Sequence, residues 1–413
     1  MGQPALMARL SAMFAFSSMI LGAQGMLLSG HMGELGFSGQ QISYVAASWA
    51  LAALGAPLAA GWLADRFWPS QRLAGWCYLF CVPLLAWGWM QHEFAPLWVA
   101  MALFCLIFLP TRSLANVIAF HHLGDFRRFG QVRVWGTIGW IGVSWGLSLY
   151  LELRGGGEGH LGDGLLLAAV LSAIAGAYAF TLPHTPPGSG SSSGTSLSSA
   201  FSLLRQPGFA VLVITAFASA LAGPFLFNFG FLFLIDPDRL GLSPGTANML
   251  LSLAQVSEVF TMLMLTWALR RLGLRWTIFV GLLAQALRLG CFAAAHSLWV
   301  MVIAQCLQGV SFTFFAIGST VAVDRLSPPQ MRASAQGLLV VINSGMGALV
   351  GHFTAGRCYD YLALPGGGHD WGTFFLLPGV FALGTACFFG WAFRGGEEGA
   401  QELPALESKK LRG

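Results

Sequence analysis

Of the 17 carboxylates in this chain, Glu258 alone stands in the middle of an apolar run, Leu251-Ser-Leu-Ala-Gln-Val-Ser-Glu258. The other sixteen fall in loops, segment ends or tails. Gln255 precedes Glu258 by one helical turn, so both side chains share a face. Arg288 lies deep in a second apolar run, and Arg133 lies early in another, ahead of Thr137 and Trp140. Asn116, Asn228, Gln308 and Asn343 add neutral hydrogen-bonding groups to further runs. An ionisable side chain inside an apolar span is costly and marks a functional position by default. Such a carboxylate either binds a proton or pairs with a cation. One balanced between the two can take up and release a proton as the structure opens to each side. The competing reading is a permanent Glu258–Arg288 ion pair that only joins two helices, an expensive way to do so. For Gln255, Asn116 and Asn228, cavity lining competes with simple hydrogen bonding between helices.

These residues need helices in lipid to position them. The 413 residues are 56% hydrophobic and 9% charged, against about 25% charged in soluble chains. Polar punctuation divides the apolar runs into about twelve segments: 8–29, 41–64, 73–91, 96–119, 132–152, 164–182, 208–235, 246–269, 276–295, 297–323, 333–355 and 371–394. At about 20 residues per span, twelve spans use roughly 240 residues, which leaves no room for a large soluble catalytic domain. The expected fold is therefore an all-α membrane protein. No cleavable signal peptide is visible, so the first segment is expected to remain as a span. The seven cysteines form no CxxC pair and read as small apolar residues, not as a disulfide framework or metal site.

Arginine and lysine placement sets the orientation. Alternate loops and the two ends carry Arg9, Arg66, Arg72, Arg127, Arg128, Arg205, Arg270, Arg271, Arg275, Arg325, Arg332, Arg394, Lys409, Lys410 and Arg412, fifteen in all. The opposite loops carry three, Arg154, Arg239 and Arg357. Both termini are expected in the cytoplasm. Residues 183–205 form a Pro/Gly/Ser-rich linker, which divides the chain into a six-helix half at 1–182 and another at 206–395, with a tail at 396–413. Leu35-Gly36-Phe37-Ser38 returns as Leu240-Gly241-Leu242-Ser243, and each serine lies 28 residues before a loop arginine, Arg66 or Arg271. A duplicated unit with a site between its halves is a transporter plan.

Several motifs suggest chemistry without the context for it. Gly157–Gly162 matches GxGxxG but has no strand before it. Gly190–Gly194 matches GxSxG through low complexity alone. Gly136, Gly139, Gly142, Gly347 and Gly351 read as close-packing positions between helices. No nucleophile–base pair or metal-ligand cluster falls at membrane depth, which disfavours an enzyme.

Gly61-Trp-Leu-Ala-Asp65-Arg66, placed between spans two and three, resembles the loop signature of the major facilitator superfamily, with a degenerate end at Phe67–Arg72. Longer matches resemble the nucleoside:proton symporter family. They are Phe108–Thr111 with Asn116, Val132–Gly139, Thr181–His184, Ser252–Glu258, Leu287-Arg288, Arg332–Gly337, and Asp370-Trp371 with Thr373. The resemblance implies a twelve-helix major facilitator fold in two six-helix halves. It also implies a central cavity lined by Arg133, Thr137, Trp140, Gln255, Glu258 and Phe312, where ribose and base are hydrogen-bonded and carboxylates couple proton uptake. Asn116 and Gln308 are expected to line that cavity too. Three departures stand out. The family's span-ten aspartate is Thr313 here, its span-seven glutamine is matched only approximately by Asn228, and a tryptophan-bearing stretch of span one is Gly22-Ala-Gln24-Gly25.

The expected protein is a secondary transporter of the bacterial inner membrane that imports a nucleoside or similar ribosylated solute, driven by an ion gradient, with protons the coupling ion and Glu258 the coupling group. No cofactor or metal is expected, and no nucleic acid or obligate protein partner. The alternatives are a sugar or muropeptide-like symporter or facilitator of the same fold, and a transport-inactive sensor.

Overall fold

The computed structural model describes residues 3–124, 126–155, 157, 159–187 and 200–394. The helices, in chain order, are α1 (Gln3–Gln24), α2 (Leu27–Glu34), α3 (Gly39–Ala53), α4 (Ala56–Arg66), α5 (Ser70–Trp89), α6 (Phe94–Leu123), α7 (Phe126–Leu153) and α8 (Asp163–Ala179). They continue as α9 (Pro207–Ile235), α10 (Pro244–Arg271), α11 (Gly273–Ala293), α12 (Leu298–Val310), α13 (Gly318–Leu326), α14 (Arg332–Val340), α15 (Ala348–Tyr361) and α16 (Trp371–Ala392). A π-helical turn at Ser311–Ile317 joins α12 to α13, and a second at Val341–Gly347 joins α14 to α15.

Among the described residues, eight helical stretches are long and apolar enough to cross a membrane. The other elements miss that standard for local reasons. The α3–α4 stretch breaks at Gly55, the apolar stretch of α7 is diluted by glycine, serine and tryptophan, and α8 has only 17 residues. Pro83, Pro110, Pro224 and Pro378 sit inside helices, as membrane helices tolerate when neighbours satisfy the freed backbone groups. Large apolar side chains such as Leu263, Phe260 and Trp391 face outward, as lipid requires.

The packing repeats along the chain. α1 lies on α7 as α9 lies on α15, α5 on α8 as α11 on α16, and α3 on α6 as α10 on α12. The repeated Leu-Gly-x-Ser marks equivalent turns. Gly36 and Gly241 both take positive φ, 73° and 54°, and Ser38 and Ser243 then cap α3 and α10. Only glycine adopts that φ readily, and a capping hydroxyl satisfies an N–H that the helix cannot.

Gln3 and Ala392 lie at one end of the bundle, the terminal face, and the other end is the far face. Contacts between the helices before residue 182 and those after residue 206 concentrate toward the far face, where α7 meets α10, α3 meets α15, and α2 meets α9. Hydrogen bonds joining the two sets among the described residues lie there as well. Asp360 accepts from the backbone N–H groups of Gly39 (2.6 Å) and Gln40 (3.0 Å) at the start of α3. Glu152 accepts from the Thr246 backbone N–H (3.0 Å) and the Ser243 hydroxyl at the start of α10. Asn248 donates to the Ser144 carbonyl and Ser148 hydroxyl, and Trp145 donates to Ser252 at 2.8 Å. Among the described residues the seam is thus held closed at the far face, and the two sets of helices touch less toward the terminal face.

One expectation needs correction. Gly61, Asp65 and Arg66 are not in a loop. They occupy the last turns of α4, which runs unbroken to Arg66; the Asp65 side chain lies outside the described residues. Of the linker at 183–205, residues 188–199 lie outside the described residues, as do the Gly190–Gly194 motif and the tail at 396–413.

Candidate functional site

Glu258 sits half-buried at the middle of α10, and its partner is an amide, not a guanidinium. Gln308 on α12 donates through Nε2 to Glu258 Oε1 at 3.4 Å, and its Oε1 accepts from Arg288 Nη1 on α11. Arg288 also donates through Nη2 to Gln305 Oε1 at 3.2 Å, and its guanidinium lies 5.9 Å from the Phe292 ring centre. The direct Glu258–Arg288 ion pair of the competing reading is therefore replaced by a relay. Gln305 and Gln308 lie one turn apart on α12 and reach between the two charged helices. A neutral amide can do this because it donates at one end and accepts at the other. Each charge keeps a charge-assisted hydrogen bond while the carboxylate remains free of a salt bridge that would fix it.

The turns around Glu258 leave polar groups available. Gln255 Oε1 is buried and has no hydrogen-bond partner, so an acceptor stands idle beside the carboxylate. An unmade bond of this kind costs about 1–3 kcal/mol, which a ligand donor would recover. Thr313, at the position where the resembled family has aspartate, is fully buried and bonds Thr261 Oγ1 at 2.9 Å. Thr261 in turn bonds the Ser257 and Glu258 carbonyls at 3.0 and 3.1 Å, so Thr313 ties the π turn to α10. Phe312, its neighbour on that turn, is 39% exposed. Single π turns inside helices are frequent at functional positions.

Across the seam, α7 presents Arg133, Thr137 and Trp140 at helical spacing. Arg133 is exposed with its guanidinium 5.9 Å from the Phe129 ring centre, and Thr137 and Trp140 are half-buried. The small residues of Gly22-Ala-Gln24-Gly25 make room for Trp140. A Cβ on Gly22 would lie 3.0 Å from the Trp140 carbonyl oxygen and 2.8 Å from Val143 Cγ1, so span one has no space there for a larger side chain. On α6, Asn116 is half-buried one turn beyond Arg112.

Asn228 is not a cavity residue in this structure. It is 1% exposed, and its Nδ2 lies 3.1 Å from Ser43 Oγ and 3.0 Å from His352 Nδ1. Those bonds join α9, α3 and α15 in the closed far-face seam. Sequence reasoning missed His352, although an imidazole inside an apolar run is the same signal that singled out Glu258. It also missed Gln305 and Thr261, whose roles depend on partners from other helices.

A repeated helical bundle with its seam closed at one face and polar side chains set at mid-span is the plan of a secondary transporter of the major facilitator type. The particular lineage follows from comparison with known proteins. The chain belongs to the nucleoside H+ symporter family, whose description matches residues 5–398. It is 29% identical to the xanthosine permease of Escherichia coli, over 94% of this chain and 95% of that protein. It is also 29% identical to the nucleoside permease NupG of Escherichia coli, over 86% of this chain and 88% of that one. The crystal structure of the nucleoside transporter NupG superposes with a TM-score of 0.84 at 25% identity, covering 94% of this chain and 99% of that one.

Proposed function

We propose that this protein carries a nucleoside or similar ribosylated solute across the membrane with protons, by alternating access of two six-helix halves, 1–182 and 206–395. Twelve spans form the halves, and the terminal face is cytoplasmic, in keeping with the distribution of arginines and lysines. On that reading the seam is open to the cytoplasm and shut to the outside, the state in which a solute is released inward. Both termini then lie in the cytoplasm, and the membrane is the bacterial inner membrane. No cofactor takes part; the ion gradient supplies the work.

The observation that carries this reading is the Glu258–Gln308–Arg288 relay beside the idle Gln255 carbonyl oxygen. A carboxylate bonded through an amide can change protonation state without leaving a cation unpartnered, because Gln305 and Gln308 still hold Arg288. Gln255 offers an acceptor suited to a ribose hydroxyl or a base N–H. The test is uptake of labelled nucleosides and sugars into proteoliposomes with and without an inward proton gradient. Gradient-dependent nucleoside uptake is expected. Uptake of sugars alone, or of neither, overturns the proposal.

A further inference from the structure

Arg112 takes no part in the Glu258 relay or in the far-face seam. It stands on α6, eleven residues from the helix end at Leu123, inside the terminal-face half where the two sets of helices part. Arg133 stands seven residues into α7, from the same face. Both side chains are exposed although both lie within spans, and neither has a hydrogen-bond or ion-pair partner among the described residues. α6 and α7 pack on one another, and helical spacing puts Arg112 on the face of α6 that carries the buried Cys105, Phe108 and Ala119. Asn116, one turn on, shares its face.

The charge balance around the seam follows. Arg112, Arg133 and Arg288 are three cations, and Glu258 is the one carboxylate at mid-span. Where the resembled family has aspartate, Thr313 supplies a hydroxyl already committed to Thr261. Two like charges set on neighbouring spans with no ion-pair partner are unfavourable, and guanidinium groups are the side chains best shaped to take a counter-charge. We infer that the transported solute is an anion: a nucleoside bearing a negative charge on its base or on an acidic substituent, with Arg112 and Arg133 as its receptor and Arg112 the residue that sets the preference. The inference rests on the nucleoside reading given above and narrows it.

The test is calorimetric binding to the purified full-length protein with matched pairs that differ in charge. Xanthosine, whose base loses a proton near neutral pH, is compared with inosine, and orotidine, which carries a carboxylate, with uridine; uridine monophosphate supplies the phosphate arm. The charged member of each nucleoside pair is expected to bind at least about tenfold more tightly, as a charge-assisted bond provides. The xanthosine preference should vanish as acid protonates the base, whereas the orotidine preference should persist at the same pH. Arg112→Gln should bring both ratios toward one, and Arg112→Lys should restore part of them, which separates a lost charge from a damaged fold. Tightest binding of the monophosphate assigns the charge to phosphate and overturns the base-centred form. Equal binding within both pairs overturns the inference while leaving nucleoside transport intact. Failure of every nucleoside and nucleotide to bind overturns both.

Discussion

Glu152 on α7 and Asp360 on α15 are equivalent latches: each places its carboxylate on the first N–H groups of a helix from the other set. Asp360 meets α3 at Gly39 and Gln40, and Glu152 meets α10 at Thr246. These two helices follow the duplicated Leu-Gly-x-Ser turns, so the duplication that built the fold also built the closure. Glycine is required beside each latch. A Cβ on Gly39 would lie 2.8 Å from the Gly356 carbonyl oxygen, and one on Gly245 would lie 2.6 Å from that of Ser148. Helix N-termini carry partial positive charge and unsatisfied donors, so each carboxylate stabilises the shut far face without an opposing arginine.

Removing the charges should therefore loosen that face. Asp360→Asn and Glu152→Gln keep side-chain size but weaken the bond to the helix N-terminus, at a cost of roughly 0.3–2 kcal/mol each. The expected outcome is a shift toward far-face opening, larger in the double variant than in either single one. Spin-label distances between far-face loops would report it. An unchanged distance distribution in the double variant would refute the latches.

The seam also contains the Asn228–Ser43–His352 cluster, which makes a separate prediction. Asn228→Ala leaves His352 and Ser43 without their partner in a buried site, worth about 1–3 kcal/mol. The expected result is a lower melting temperature and a more open far face. The ratio of affinities between two bound nucleosides should stay within about twofold, because Asn228 does not line the open side of the seam. A large change in that ratio would return Asn228 to the solute site.

Much of this architecture was legible in the sequence, for identifiable physical reasons. Apolar runs reveal spans because lipid demands them, and the Gly36 and Gly241 turns were marked by a repeat whose glycines need positive φ. The break between the apolar segments 276–295 and 297–323 is visible in the structure too, with α11 ending at Ala293 and α12 beginning at Leu298. What sequence could not supply was partnership across helices. Glu258, Arg288 and Gln308 were each visible as polar groups in apolar runs. Nothing in their spacing says that Gln308 stands between the two charges, since that depends on how three helices rotate about their axes. Asn228 shows the same limit, because burial against α3 and α15 decided its role.

The relay gives Gln308 a role distinct from that of a solute ligand. Gln308→Leu removes the bridge, leaving Glu258 without its donor and Arg288 with Gln305 alone. Loss of bonds to charged groups should cost about 1.5–3 kcal/mol, lowering the melting temperature of solute-free protein. Gln308→Glu should not restore it, because a carboxylate can accept from Arg288 but repels Glu258. Should the Leu variant melt with wild type, the amide bridge contributes nothing and the two charges are independent.

The final prediction concerns coupling at Glu258. Glu258→Gln fixes a neutral side chain that resembles the protonated acid in shape, and its amide oxygen can still accept from Gln308 Nε2. Arg288 is not stranded by the change, because its bonds run to Gln305 and Gln308 and not to Glu258. Had the two charges formed a direct buried pair, the same substitution would be expected to cost about 3–5 kcal/mol, with every activity failing together. The relay predicts a separation instead. Solute accumulation against its gradient should be lost, exchange of labelled for unlabelled solute should continue, and the melting temperature should stay near wild type. The last of these distinguishes relay from ion pair even before transport is measured. Uptake by the Gln variant that still responds to a proton gradient would show that coupling does not pass through Glu258. With Thr313 holding a hydroxyl bonded to Thr261, no second carboxylate stands at that turn to take over, and the protein would then act as a facilitator or couple to another ion.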